Sequence, residues 1–144
     1  MTESPLFLDL ADVMAIHAYQ VGHFGGSMET REEGLLESAI AMPQMSFGNA
    51  MLHRDVFEMA AAYLFHIVQN HPFVDGNKRT GAMSAVVFLD VNGIDFDASD
   101  DDFTAMVVKV ASGKMKKNEI AAFLKSHGKD KSAISNTTIQ TGNQ

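Results

Sequence analysis

The sequence predicts an all-α fold, a compact bundle of about six helices. Apolar residues recur at helical spacing along almost the whole chain, and no alternating apolar and polar run is long enough to form a sheet. The chain has 144 residues, of which 46% are apolar and 20% charged. This length and composition are typical of one globular domain with a sizeable core.

The first helix is predicted to begin after Asp9, which is a good N-cap residue, and to end at Gly25-Gly26. Its apolar face follows the intervals of three and four that place residues on one side of a helix. The predicted stripe contains Leu10, Val13, Met14, His17 and Val21.

A second helix is predicted over residues 31–42, with Thr30 as its N-cap and Pro43 at its end. Two acidic residues, Glu32 and Glu33, would lie near the positive end of its dipole. A loop is expected over residues 43–53.

The third and fourth helices are predicted to be the most buried. From Asp55, the sequence VFEMAAAYLFHIVQN is apolar on nearly every face, which indicates a central helix surrounded by protein. The next helix is predicted to begin at about Asn77 and to close at Asn92-Gly93. The segment between these two helices is therefore a turn at the centre of the fold.

Two further helices are predicted, one capped by Ser99 or Asp100 and one capped by Asn118. The domain is expected to span residues 1–128. Residues 129–144 are polar and aperiodic, so we expect a disordered C-terminal tail.

Composition and charge exclude several classes of function. The formal net charge is -7, with no cluster of Lys and Arg, so direct nucleic-acid binding is not expected. The chain has no cysteine, which rules out disulfides, thiolate metal sites and a cysteine nucleophile. An acid occupies the region where a signal peptide needs basic residues, and the longest apolar run is about half a membrane span. We therefore expect a cytoplasmic protein without membrane contacts.

The turn between the two central helices, NHPFVDGNKRTG at residues 70–81, has the composition of an anion site. A helix that begins at Gly76-Asn77 presents free backbone N–H groups and a partial positive charge. Lys78 and Arg79 add two cations at the end of the helix that disfavours them. A phosphate bound from outside the protein is the simplest way to compensate this positive charge.

Two further residues of this turn extend the prediction from binding to chemistry. Asp75 would repel a phosphate unless a cation such as Mg²⁺ lay between them. His71 can accept a proton from an attacking hydroxyl at neutral pH. Together these residues predict phosphoryl or nucleotidyl transfer.

Each residue also has an ordinary structural interpretation. His71 could cap the preceding helix, Asp75 could be a turn residue, and Lys78 and Arg79 could form a solvated face. Phe73 is a core anchor in either case. The structural interpretation is the weaker one, because all of these explanations would have to hold at once within nine residues of one loop.

The sequence HPFVDGNKR at residues 71–79 resembles the HPFx(D/E)GNGR signature of the Fic/Doc (Fido) superfamily. Lys78 stands where the adenylyl-transferring members carry glycine, and that lysine resembles the Doc, or death-on-curing, branch. The similarity extends to residues 23–44 and 55–70 and covers roughly residues 8–126.

The resemblance implies a compact helical fold whose motif loop joins two central helices. It also implies an enzyme that uses ATP and Mg²⁺ to modify a hydroxyl of a protein target. Doc-branch toxins phosphorylate a threonine of elongation factor Tu and arrest translation, whereas glycine-bearing Fic enzymes transfer AMP. Lys78 is the residue on which the kinase prediction rests, because it is thought to present the γ-phosphate instead of the α-phosphate.

The resemblance also implies a role for each residue of the motif. His71 would be the general base, Asp75 would hold Mg²⁺, and Pro72 and Phe73 would be structural. The phosphate contacts would come from Gly76 and Asn77 as the anion hole and from Lys78 and Arg79, which would also stabilise transition-state charge.

The resemblance further implies a flap over residues 43–54 that aligns the target backbone. In the alternative interpretation, Met45, Phe47 and Met51 of this loop fold onto the core. The self-inhibitory pattern [ST]xxxE[GN] of many Fic proteins fails here, because Thr30 is one residue too near Glu33. Doc-branch toxins are instead inhibited by a separate antitoxin, so the resemblance implies such a partner for this chain.

Other sites are not supported by the spacing of their residues. His66 and His71 are five apart, which does not fit HExxH, and the acidic segment after Asp90 lacks the glycine and the final Glu of an EF-hand. Two hypotheses of different classes remain: an ATP-dependent transferase, with AMP transfer as its variant, and a catalytically silent helical binding module.

Overall fold

The computed structural model describes residues 4–132 of the chain. Within this range, six α-helices and two small antiparallel strand pairs form the fold, which confirms the predicted helical bundle. The elements in chain order are α1 (Leu10–Phe24), α2 (Glu33–Ala41), a 3₁₀ turn (Met42–Gln44), β1 (Ser46–Phe47), β2 (Ala50–Met51), α3 (Val56–Asn70), α4 (Asn77–Val91), β3 (Ile94–Phe96), α5 (Asp100–Ala111), α6 (Lys117–Ser126) and β4 (Gly128–Asp130).

Helix α3 is the centre of the core, as its uniformly apolar sequence predicts. It packs against α2, α4, α5 and α6, and its Asp55 N-cap accepts a hydrogen bond from the Glu58 N–H. Its buried side chains are Met59, Ala60, Ala61, Ala62, Tyr63, Leu64, Ile67 and Val68.

Helices α3 and α4 approach each other closely at Gly81. A Cβ atom added at Gly81 would lie 2.9 Å from Cγ2 of Val68 and 3.2 Å from the backbone oxygen of Leu64. Glycine at this position therefore sets the distance between the two helices that flank the motif segment, residues 71–79.

Helix α1 begins and ends where the sequence predicts. Asp9 and Asp12 form a reciprocal capping box at its start, and Gly25 follows its last residue with a φ of 85°. The predicted apolar stripe is wrong at Met14, which is 38% exposed. Met14 lies about 100° around the helix from the fully buried Val13, and the buried face of α1 is narrower than the stripe requires.

Helix α2 begins later than predicted, at Glu33, and Thr30 does not cap it. Thr30 instead forms an isolated antiparallel bridge with Phe73. The backbone before α2 is extended because it pairs with the motif segment. The helix ends next to Pro43, in a 3₁₀ turn.

The predicted loop over residues 43–53 contains the β1–β2 hairpin. Phe47 at this hairpin is 71% exposed, and Met45 and Met51 are also exposed. The alternative in which these three side chains fold onto the core is therefore wrong. The hairpin presents an apolar, solvent-facing edge.

The C-terminal part differs from the prediction in two places. Ser99, one of the two predicted residues, caps α5. Helix α6 begins at Lys117, whereas it was predicted to begin after Asn118. The Glu119 carboxylate accepts a hydrogen bond from the Lys116 N–H at 2.9 Å, so a side chain inside the helix satisfies this end.

The last strand extends past residue 129, where the tail was predicted to begin. Lys129 and Asp130 belong to β4, which pairs with β3 because the chain folds back along the short extended piece after α4. Residues 133–144 of the predicted tail lie outside the described residues. No helix in residues 4–132 is long and apolar enough to cross a membrane.

A cluster of three basic side chains ties the segment that follows the β1–β2 hairpin to α3 and α6. The Lys117 ammonium lies 3.0 Å from Nε2 of His66 and 3.3 Å from Nε2 of His53. Burial, together with the charge of Lys117, lowers the pKa of His66 to about 4. The neutral imidazoles can therefore accept hydrogen bonds from the lysine.

Acidification is expected to weaken the fold through His66. Between about pH 6.5, where an unfolded histidine titrates, and about pH 4, the unfolded chain binds a proton that the folded chain does not. The free energy of unfolding therefore falls as the pH falls through this window. Urea unfolding at several pH values should show a shallower dependence for His66→Gln than for the wild type, whereas the exposed-site control His23→Gln should not change it. Equal slopes in all three proteins would contradict this account.

Candidate active site

His71 lies at the junction of α3 and the motif segment. It is the C-cap of α3 and has a left-handed backbone, with a φ of 52°. Its N–H donates to the carbonyl of Ile67, and its side chain is exposed. This conformation is uncommon for a residue with a side chain, although histidine adopts it more readily than most, and it ends the helix within one residue.

The start of α4 has the features of an anion site. Gly76 occupies the N-cap position with a φ of 84°, which favours glycine, and no side chain caps the first N–H groups. Lys78 and Arg79 lie exposed in the first turn, and within residues 4–132 no carboxylate lies within 4.0 Å of either cation. Positive charge and free N–H groups therefore converge here without a protein anion.

Two adjoining cavities open at this helix start. The larger cavity, of about 290 Å³, lies between α4 and α5, and the smaller cavity, of about 190 Å³, contains His71 and Asp75. Gly76, Asn77 and Lys78 line both. The remaining lining residues of the larger cavity are Arg79, Ala82, Phe103, Thr104, Val107 and Val108.

Asn77 stabilises the loop with its side chain. This side chain is buried, its Oδ1 accepts from the Phe73 N–H at 2.9 Å, and its Nδ2 donates to the Phe73 carbonyl at 2.9 Å. Both polar groups of the amide are thus engaged with one residue. The backbone N–H of Asn77, at the first position of α4, stays available to an anion.

Asp75 is held by the segment that follows α1. Its Oδ2 accepts a hydrogen bond from the Ser27 N–H at 2.8 Å. A Cβ atom added at Gly26 would lie 2.9 Å from Cβ of Asp75, so only glycine fits against this carboxylate. Oδ1 has no hydrogen-bond partner among the described residues.

If Asp75 holds Mg²⁺, as the sequence predicts, replacing Gly26 by alanine should displace this carboxylate and raise the Mg²⁺ concentration that gives half-maximal activity. Gly25→Ala is the matched control, because Gly25 also has a positive φ, of 85°, but a Cβ atom there would meet nothing within 4 Å. Gly26 has a φ of 111°, so both variants place a side chain at a positive φ and carry backbone strain. Equal Mg²⁺ dependence in the two variants would contradict a specific effect on Asp75.

The segment before α2 supports the motif segment from the other side. The N–H groups of Arg31 and Glu32 donate to the carbonyl of Pro72 at 2.7 and 3.0 Å. The Arg31 guanidinium donates to the carbonyls of His71 and Asn70 at 2.8 and 3.1 Å. These bonds satisfy the end of α3 and fix the peptides on both sides of the histidine.

Helix α1 supplies two more contacts that the sequence did not assign to the site. The guanidinium carbon of Arg79 lies 4.2 Å from the centre of the Phe24 ring, in cation–π geometry. The ring of His17 stacks on Phe73, with centroids 3.7 Å apart. Like Ser27 and Arg31, these residues lie 39 or more positions from their partners, so no local pattern points to them.

The family model described as the Fic/DOC family matches residues 7–89, more than half of the chain. The chain belongs to the Fic/DOC family. The match covers α1 to α3 and α4 as far as residue 89, and so includes the whole motif segment.

Two curated proteins of known name are similar to this Fic/DOC protein. It is 38% identical to "Toxin Doc" of Mycolicibacterium smegmatis over 101 residues, which cover 70% of this chain and 73% of that protein. It is 30% identical to "Protein kinase doc" of Escherichia phage P1 over 115 residues, which cover 79% of this chain and 89% of that protein. The similarity supports the Doc toxin branch of the family and a transferase activity.

Proposed function

We propose that this Fic/DOC protein is a Doc-type toxin of the cytoplasm. It transfers the γ-phosphate of ATP to a Ser or Thr hydroxyl of a protein target such as elongation factor Tu and so arrests translation. One observation carries the proposal: Lys78 lies at the uncapped start of α4, where the cavity of His71 and Asp75 meets the larger cavity. The printed names of the two relatives, a toxin and a protein kinase, support it.

The proposed reaction is an in-line displacement at the γ-phosphorus. The target hydroxyl oxygen forms a bond to phosphorus, His71 accepts the hydroxyl proton, and the bond from phosphorus to the β–γ bridging oxygen breaks. ADP leaves with the bonding electron pair. Free N–H groups at the start of α4, with Lys78 and Arg79, stabilise negative charge on the phosphates.

Asp75 fits a Mg²⁺ ion that arrives with the nucleotide. Within residues 4–132, no group of three or more His, Cys, Asp or Glu side chains could hold a metal alone. Mg²⁺ is commonly bound through one or two carboxylates together with substrate phosphates, and Asp75 lines the smaller cavity beside Lys78. When bound, the ion would neutralise phosphate charge. The protein's part is to hold one carboxylate in place through Ser27 and Gly26.

The β1–β2 hairpin is the proposed docking edge for the target. Its strands are two residues each, and its exposed Phe47, Met45 and Met51 offer apolar contacts. An exposed strand edge can pair with an extended segment of another protein. This arrangement would present a target hydroxyl as part of an extended peptide.

A separate antitoxin is proposed as the second partner. The chain lacks the self-inhibitory pattern, and a relative is named as a toxin. The active surface is cationic at Lys78 and Arg79 and is bordered by the exposed apolar side chain of Phe24. A partner segment with apolar and acidic side chains fits this surface.

The target is tested by incubating the purified protein with Mg²⁺, ATP and elongation factor Tu, followed by peptide mass spectrometry of the factor. We expect one phosphorylated Ser or Thr with the wild type and none with His71→Ala. Unmodified factor would contradict this choice of target. Modification of another protein in a whole lysate would then identify the target, and the absence of any modification would favour a binding module.

Lys78→Gly tests which phosphorus is attacked. The remaining motif residues, including Pro72 and Gly76, match the form found in AMP-transferring members. If Lys78 selects the γ-phosphate, Lys78→Gly should lose phosphate transfer and gain AMP transfer, measured by the release of ADP or pyrophosphate. Lys78→Arg, which keeps the charge, is the matched control. Unchanged ADP release by Lys78→Gly would contradict the role of the lysine.

A further inference from the structure

His17 is a buried polar residue of α1 that contacts the motif segment twice. It is 1% exposed. One face of its ring stacks on Phe73 at 3.7 Å with an interplanar angle of 8°, and its Nε2 lies 2.8 Å from the backbone oxygen of Asp75. Because a carbonyl oxygen can only accept, Nε2 carries the proton and donates it.

This hydrogen bond fixes the orientation of the peptide between Asp75 and Gly76. The described chain has no cis peptide bond, and in a trans peptide the C=O and N–H groups point in opposite directions. Since the Asp75 carbonyl points at His17, the Gly76 N–H points away from it. Gly76 lines both cavities, and its N–H has no backbone acceptor among the described residues.

The imidazole also lies directly against Gly76. A Cβ atom added at Gly76 would be 3.4 Å from Cδ2 and 3.5 Å from Nε2 of His17. Without a hydrogen-bond partner this peptide could rotate, because glycine has no side chain to restrict its backbone. His17 supplies the restriction.

We propose that His17 is a positioning residue for phosphate transfer: its Nε2–H holds the Asp75 carbonyl and thereby aims the Gly76 N–H at the bound phosphates. The inference rests on the proposed function for its ligand, a nucleotide phosphate. His17 does not touch the substrate itself. A rigid donor needs no reorganisation when negative charge develops, which is why its orientation affects the reaction.

Two variants separate the hydrogen bond from the packing. His17→Phe keeps an aromatic ring for the stack on Phe73 and removes the donor, whereas His17→Gln keeps an N–H donor and loses the stack. His23→Phe is the control, because His23 is an exposed histidine of the same helix. The readouts are the assigned amide NMR signals of Gly76 and Asn77, the melting temperature, the ATP dissociation constant in Mg²⁺, and kcat and KM.

In His17→Phe we expect a protein that still folds, with a lower melting temperature because the Asp75 carbonyl loses its donor. The Gly76 and Asn77 signals should be shifted or broadened, and ATP binding should be about tenfold weaker, the size of one lost hydrogen bond. A lower kcat/KM should accompany it, and His17→Gln should restore at least part of both. Unchanged Gly76 and Asn77 signals in folded His17→Phe would overturn the inference. If His17→Phe does not fold, wild-type-like signals in His17→Gln support it and displaced signals overturn it. Failure of the wild type to bind ATP would count against the proposed function, and the NMR comparison would still decide the role of His17.

Discussion

Replacing His71 by alanine is expected to reduce the rate of phosphate transfer by about 10²- to 10⁴-fold, the usual contribution of a general base. ATP binding should change little, because the proposed phosphate contacts lie at the start of α4 and do not include the imidazole. Initial rates with γ-labelled ATP, at saturating nucleotide, measure the effect. The release of ADP in the absence of target serves as the background.

The control for this substitution must preserve the backbone of the motif segment. His71 has a φ of 52°, and asparagine tolerates that region better than alanine does. His71→Asn should therefore keep wild-type stability while lacking a side chain that can accept a proton. Activity of His71→Asn within tenfold of the wild type would contradict the assignment of His71 as the general base.

Replacing Asn77 by alanine is expected to lower the free energy of unfolding by about 2–4 kcal/mol and to abolish transfer. The substitution removes both hydrogen bonds to Phe73 and leaves the N–H and C=O of that buried residue without partners. The segment that connects His71 to α4 then loses its fixed shape. Urea unfolding measures the first effect, and labelled ATP measures the second.

Asn92→Ala is the matched control for this prediction. Asn92 lies at the other end of α4, and its side chain accepts from the Leu6 N–H and donates to the carbonyls of Leu6 and Phe88. Its loss should also reduce stability, but kcat should remain within about twofold of the wild type because these bonds are remote from the motif segment. A similar loss of kcat in Asn92→Ala would show that activity merely follows stability.

The sequence was sufficient to predict the elements whose ends are set by local residues. Asp9, Asp55 and Ser99 each cap a helix with their own side chains, so the residue type and the helix start coincide. Thr30 and Asn118 are equally good cap residues and do not cap. The backbone of Thr30 pairs with Phe73 of the motif segment. At the start of α6, the carboxylate of Glu119, which lies within the helix, accepts the Lys116 N–H.

Strand β4 could not be predicted because nothing local specifies it. Strand β4 has the sequence Gly128-Lys129-Asp130, which has no apolar alternation, and it forms through backbone pairing with β3. A Cβ atom added at Gly128 would lie 2.8 Å from the Phe57 ring, so this glycine permits a close approach and does not mark the end of the domain.

The motif itself was visible in the sequence, but its support was not. His71, Asp75, Lys78 and Arg79 lie within nine residues, so spacing alone predicts that they share a site. The groups that position them act mostly through backbone atoms. The Ser27 N–H binds Asp75, and any residue other than proline has that donor.

The most direct test of the central claim compares two labelled forms of ATP. The wild-type protein is incubated with elongation factor Tu and Mg²⁺, with ATP labelled at the γ-phosphate in one sample and at the α-phosphate in the other. The account predicts label in the factor from the γ position alone, and none from either sample with His71→Asn. Label from the α position would contradict it, because it would show that the site transfers AMP despite Lys78.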